Sequence, residues 1–189
     1  MIARVVTQKA VSLKASYQSL NSLYRGAFKL AFGTLWMILL TKVQVHLSFS
    51  PVPICMGPTG AVFIGALLGP RWGVGSVVSF LTLGCMGLPV FAGVPFGPTW
   101  GYLVGYIASA WVMGHLMKRM ARASTFKIML AACIANLCLY VTGAVWLSLF
   151  TGWARVLQLG VYPFMAGMLV KNAGLSILFS KGKKVFSAK

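Results

Sequence analysis

The stretch "GVYPFMAGMLVKNAG", residues 160 to 174, has the composition of a membrane-crossing helix and sets Lys171 in its middle. A lysine at bilayer depth costs about 2.5 to 3.5 kcal/mol on insertion scales, and such cations usually pair with an acid or face an aqueous cavity. An acid is not available here, because the 189 residues include 17 Lys and Arg and no Asp or Glu. No carboxylate side chain of this protein can neutralise Lys171.

The same absence removes most catalytic chemistry. Paired carboxylates, a Walker B aspartate, a Ser-His-Asp triad and an acidic proton relay all need residues the chain lacks. His46 and His115 belong to different segments, and Cys55, Cys85, Cys133 and Cys138 fall in apolar stretches without paired metal-ligand spacing. No catalytic residue, metal site or cofactor is expected, and the chain reads as something other than an enzyme.

Hydrophobic residues make up 59% of the sequence and mean hydropathy is +0.85, well above soluble domains. The expected class is an all-α integral membrane protein, one bundle of six spans without an attached soluble domain. The cations are scattered between apolar runs, as in loops beside an anionic leaflet, which argues for membrane lipid and against nucleic acid as the partner.

Helices are expected near 27–45, 58–68, 71–88, 98–117, 128–150 and 160–180. Proline-rich "HLSFSPVPICMGPTG" interrupts the chain as a loop or re-entrant stretch after the first. Gly-Pro at 57, 69 and 97 marks helix starts. Residues 1–25 carry an apolar stripe at Val6, Ala10, Leu13, Tyr17, Leu20 and Tyr24, as in a basic amphipathic segment on the membrane surface; an organellar transit peptide is the rival. The membrane domain is set at 26–181 and a basic tail at 182–189. In this map 13 of the 17 cations, from Arg4 to Lys189, share one side, so both termini are expected in the cytoplasm of a plasma-membrane protein. Lys171, ten residues before Lys181, lies about 15 Å along its helix from that side. Small residues four apart recur at Ala27 and Ala31, Ala61, Gly65 and Gly69, and Gly101 and Gly105. Their expected use is close packing within the bundle, with Ala27 and Ala31 also open to a separate membrane subunit.

The stretches "SPVPI" (50–54), "GALLGPRWG" (65–73), "GLPVFAG" (87–93), "GPTWGYLVGY" (97–106), "YVTGAVWL" (140–147) and "GVYPFMAGMLVK" (160–171) together resemble the BioY family, the biotin-specific S components of energy-coupling-factor (ECF) vitamin transporters. The resemblance covers about residues 27–180. It implies a six-helix S-component fold, a biotin pocket near the outer surface, and transport energised by an ECF transmembrane subunit and ATPases. The family's final-helix lysine corresponds to Lys171, while its aspartate three residues earlier is Met168 here and its Pro-Gly is Ala166-Gly167. The loop joining "GLPVFAG" to "GPT" is short, only Val94, Pro95 and Phe96.

Biotin brings its own carboxylate, so a bound organic anion is the economical partner for Lys171, through the carboxylate or the polar head. The alternatives are an aqueous cavity, backbone carbonyls, or loss of the charge. A fused-ring ligand also needs shape and stacking surface, for which Phe91, Trp100, Tyr102, Tyr140 and Trp146 are the candidates, Tyr140 first because a phenol within a span wants a hydrogen-bond partner. Gly93 of "GLPVFAG" is a further site residue. An interfacial aromatic belt explains Trp100, Tyr102 and Trp146 equally well. Thr99, Asn136, Asn172 and Gln44 are further polar candidates, with interhelical hydrogen bonds as their other explanation. The leading expectation is a biotin-binding uptake subunit; the rivals are an S component for another small anionic or heterocyclic solute and a structural membrane subunit that binds none.

Overall fold

The computed structural model describes residues 2–45, 48, 52–91, 96–120 and 124–187; among these, the side chains of 2–19, 166 and 182–187 are not described. The elements are α1 (Ile2–Lys42), β1 (Gln44–Val45), β2 (Ile54–Cys55), α2 (Gly57–Cys85), α3 (Trp100–Arg119), α4 (Thr125–Thr151), α5 (Trp153–Gly160) and α6 (Tyr162–Ser187). The chain is thus mostly helical, and Leu20–Lys42, Gly57–Cys85, Thr125–Thr151 and Trp153–Lys181 are long and apolar enough to cross a membrane. That is four such stretches among the described residues, against the six spans expected.

α1 continues from the basic N-terminal stretch into the first apolar span without a break, so the boundary expected at residue 25 leaves no mark on the backbone. Of the expected apolar stripe, only Leu20 and Tyr24 have described side chains, and both are exposed. The helix stops at Lys42 rather than Val45 because the next residues enter a ladder. Gln44 faces Cys55 and Val45 faces Ile54 in an antiparallel two-residue pairing that ties the proline-rich connector to the end of α1.

Pro58 sits in the first turn of α2, where its missing N–H costs nothing. The second Gly-Pro also opens a helical arm, after a break in the backbone. Gly69 has φ 78° and ψ 177°, a conformation open to glycine, and Pro70 follows it. Beyond it the chain folds back: a Cβ on Gly73 would lie 3.0 Å from the Gly65 Cα, whereas eight residues of straight helix span about 12 Å. α1 lies against both arms, with Leu40 and Met37 over Gly60 on the first and Thr34 Oγ1 donating to the Ser76 carbonyl at 3.3 Å on the second.

The small residues serve the bundle's own packing. Gly65 meets the Ala110 backbone and Gly114 meets Pro70, which brings α3 onto α2; Gly101 and Gly105 meet Trp146, Thr142 and Leu139 of α4. Ala27 and Ala31 face outward instead. Two apolar clusters fill the interior, one around Met37, Ile64, Phe80, Leu139 and Leu147 and one around Val62, Met113, Ile128 and Leu175. The eight-residue α5 falls in the gap between the helices expected at 128–150 and 160–180, where no helix was expected. It buries Val156 and Gly160 and exposes Trp153 and Leu157.

A Cβ at Gly65 lands on backbone atoms of Ala110, which cannot move aside. Gly65→Leu is expected to force α2 and α3 apart and lower stability by about 1 to 3 kcal/mol. Gly174→Ala, whose Cβ meets nothing within 4 Å, is expected to be neutral or stabilising by up to about 1 kcal/mol. Thermal unfolding of the two variants in detergent checks the contrast.

Candidate functional site

One cavity joins the connector and the first turn of α2 to three further helices. Val52, Pro53, Ile54, Cys55, Pro58 and Thr59 supply one wall; Thr99, Tyr102, Leu103 and Tyr106 come from the start of α3; Asn136, Leu139 and Tyr140 come from α4; Phe164, Met168 and Lys171 come from α6. It encloses about 670 Å³ of atom-free space, open solvent at its mouth included. Helical spacing explains the sets: Tyr102 and Tyr106 are four apart, and Phe164, Met168 and Lys171 recur at four and three, each group on one helix face.

Lys171 is half-buried, and its Nζ donates to the Cys55 carbonyl oxygen at 3.0 Å. Among the alternatives for this lysine, a backbone carbonyl is the partner present. An ammonium carries three donors, so this bond leaves two N–H groups to serve the cavity that Lys171 lines. The Cys55 Sγ lies 3.4 Å from the Tyr106 hydroxyl. Two side chains from different helices, Lys171 of α6 and Tyr106 of α3, thereby converge on Cys55, one at its carbonyl and one at its thiol.

Deeper in the wall, Asn136 Nδ2 donates to Asn172 Oδ1 at 3.1 Å, and Asn172 Nδ2 reaches Cys133 Sγ at 3.7 Å. Asn136 is 1% exposed, and its Oδ1 has no hydrogen-bond partner among the described residues. Thr99 Oγ1, 9% exposed, is likewise unpartnered. A buried polar atom left unmade costs about 1 to 3 kcal/mol, so both atoms are set for a partner brought from outside. With apolar walls, an ammonium and two unpaired oxygens, the arrangement suits a small molecule with an apolar body, an anionic or strongly accepting group, and hydrogen-bond donors.

Of the residues expected from the sequence, Lys171, Tyr140, Tyr102, Thr99 and Asn136 share this cavity. Asn172 stands behind it, reaching it through Asn136. Phe91 packs under Gly84 and edge-on to Phe80 and Trp100, supporting the turn before α3 instead of lining the cavity. Trp146 Nε1 donates to the Gly97 carbonyl at 3.0 Å and fixes the start of α3 against α4. Gln44 lies in the ladder, opposite Cys55. Gly93, with Val94 and Pro95 of the short loop, lies outside the described residues. Cys55, Tyr106, Phe164 and Leu139 were missed. The stripe through Lys171 pointed to Phe164 and Met168, whereas the Cys55 carbonyl has no signature in side-chain types.

The BioY family model matches residues 11–188. The chain belongs to the BioY family. Similar BioY proteins include the "Probable biotin transporter BioY" of Pyrococcus horikoshii, 32% identical over 75% of this chain and 88% of that protein. The "Biotin transporter BioY" of Thermotoga maritima is 30% identical over 81% of this chain and 94% of its own length. Among solved structures, the S-component for biotin from an ECF-type ABC transporter superposes with a TM-score of 0.77 at 25% identity, covering 87% of this chain and 93% of that one. The fold is therefore that of an S component, and this BioY chain is a multi-pass membrane protein.

Tyr102 ties the cavity shut at one end, its hydroxyl donating to the Gly160 carbonyl at 2.8 Å where α5 meets α6. Tyr102→Phe keeps the ring and leaves that carbonyl unpaired. It is expected to lower stability by about 1 kcal/mol, read as an earlier thermal transition in detergent, while Tyr140→Phe leaves the transition in place.

Proposed function

We propose that this chain is the biotin-binding subunit of a biotin uptake system, capturing biotin in the cavity under the connector and drawing its energy from ECF partner subunits. The observation that carries this reading is the cavity itself. One ammonium, no carboxylate, a buried amide oxygen and a buried hydroxyl without partners surround an apolar space. Biotin answers each: a carboxylate, ureido N–H donors, and an apolar ring and tail. Lys171 contacts the carboxylate or the polar head through a charge-assisted bond, Tyr140 offers the ureido group a phenol, and Thr99 and Tyr102 complete the wall.

In the same reading the backbone reversal at Gly69 divides α2 into two membrane arms, so that α1, the two arms, α3, α4 and α6 make six crossings. The basic residues Arg25, Arg71, Lys118, Arg119, Lys127 and Lys181 then lie on the cytoplasmic side of the plasma membrane, with both termini. Residues 1–25 form a surface segment, and Ala27 and Ala31, facing outward, meet the transmembrane partner. Met168 in the cavity wall, where the family carries an aspartate, favours a second reading: an S component for another small anionic or heterocyclic solute.

Equilibrium titration of biotin into the detergent-purified protein, alongside Lys171→Ala and Tyr140→Phe, tests the assignment. The wild type is expected to bind, Lys171→Ala to lose about 1.5 to 3 kcal/mol of affinity and Tyr140→Phe about 0.5 to 1.5. Wild-type affinity in Lys171→Ala removes the lysine from the site. Absence of binding by the wild type removes biotin and leaves the second reading.

A further inference from the structure

Of the four cysteines, Cys85 is exposed at the end of α2, Cys133 and Cys138 sit on α4, and only Cys55 lines the cavity. Its surroundings are those of a site. The Tyr106 hydroxyl lies 3.4 Å from the sulfur, the Lys171 ammonium is bonded to the carbonyl of the same residue, and Asn136, whose buried Oδ1 is unpartnered among the described residues, lines the same cavity. Cys55 is a free, partly accessible thiol. Nothing in the reading of biotin capture uses it.

We propose that Cys55 is a modification site within the ligand cavity, where thiol–disulfide exchange with a small disulfide blocks ligand entry and bound ligand blocks the exchange. The thiol releases its proton to solvent and its sulfur attacks one sulfur of the disulfide. The reagent's S–S bond breaks, and the departing half leaves as a thiolate that takes up a proton. Cys55 ends oxidised in a mixed disulfide and half of the reagent ends reduced as a free thiol. The adduct occupies space that the ligand needs beside Lys171 and Tyr106. Thiol reduction reverses it, so the cavity is a reversible redox-sensitive site. Mutual exclusion between adduct and biotin rests on the function proposed above; the reactivity of Cys55 does not.

The test uses the full chain in detergent, with cystine as the disulfide, peptide mass spectrometry to locate adducts, and biotin titration before and after treatment. Cystine is expected to label Cys55 and to weaken biotin binding by at least about tenfold, with dithiothreitol restoring it. Saturating biotin is expected to slow labelling at Cys55 by about tenfold or more and to leave Cys85 unchanged. Cys55→Ser, or Cys55→Ala should serine disturb Tyr106, is expected to bind biotin equally before and after cystine. Labelling of Cys85 without Cys55, labelling of Cys55 that biotin does not slow, or loss of binding in both Cys55 variants on cystine treatment overturns the proposal. If the untreated wild type binds no biotin, the biotin reading fails separately, and labelling of Cys55 alone decides whether the cavity holds a reactive thiol.

Discussion

An ammonium within an apolar span of a chain that owns no carboxylate is the constraint around which this molecule is arranged. Placing it there costs about 2.5 to 3.5 kcal/mol, and one hydrogen bond from a charged donor returns about 1.5 to 3. The carbonyl that receives Lys171 belongs to Cys55, in the short ladder that precedes α2. Helix interiors spend their carbonyls on their own amides, so a free backbone acceptor at depth requires irregular chain facing a cavity. Proline in the connector supplies that irregularity. The sequence segment that breaks the helix is therefore the one that makes the lysine tolerable.

The cavity exists because everything around it is packed closely. Glycines at 65, 101, 105 and 114 bring α2, α3 and α4 within backbone contact, and the cavity opens between the first turn of α2, α3, α4, α6 and the connector. α6 is held differently. It reaches the bundle through Asn136 and Asn172, through Leu175 and the buried Ser176, and through Tyr102 at the Gly160 carbonyl. Tyr102 thus both lines the cavity and fixes the junction that sets where α6 begins, which couples the position of Lys171 to the start of α3.

Much of this was legible in the residues. The apolar runs, the Gly-Pro helix starts, the odd lysine, the candidate aromatics and polar residues and the family motifs marked the fold and part of the cavity lining, Lys171, Tyr140, Tyr102, Thr99 and Asn136. What was not legible has physical causes. The span expected at 27–45 was separable from the basic stretch 1–25 by composition, yet α1 runs through both, because neither Gly26 nor the serines before it suffice to stop the helix. Gly69-Pro70 read as a helix start and a second arm does begin there; that this arm folds back on the first depends on a φ that only the folded backbone reveals. Aromatics near helix ends serve equally as cavity wall or support, so Tyr102 and Tyr140 line the space while Phe91, Trp100 and Trp146 brace it. Backbone acceptors leave no trace in residue types, which is why Cys55 was invisible.

Met168 alters the balance at Lys171 more than its bulk does. Three residues earlier on the same helix face, an acid would stand within ion-pair reach of the ammonium, and such a pair about 4 Å apart gains about 4 kcal/mol at an effective dielectric constant of 20. A methionine offers no such hold, and the ammonium is left on a neutral carbonyl worth roughly half as much. A ligand anion arriving in the cavity competes with that weaker partner and adds no carboxylate beside another. In the reading proposed above, the chain without acids thus keeps its deep cation exchangeable: held by the Cys55 carbonyl, yet loosely enough that an incoming anion is the better partner.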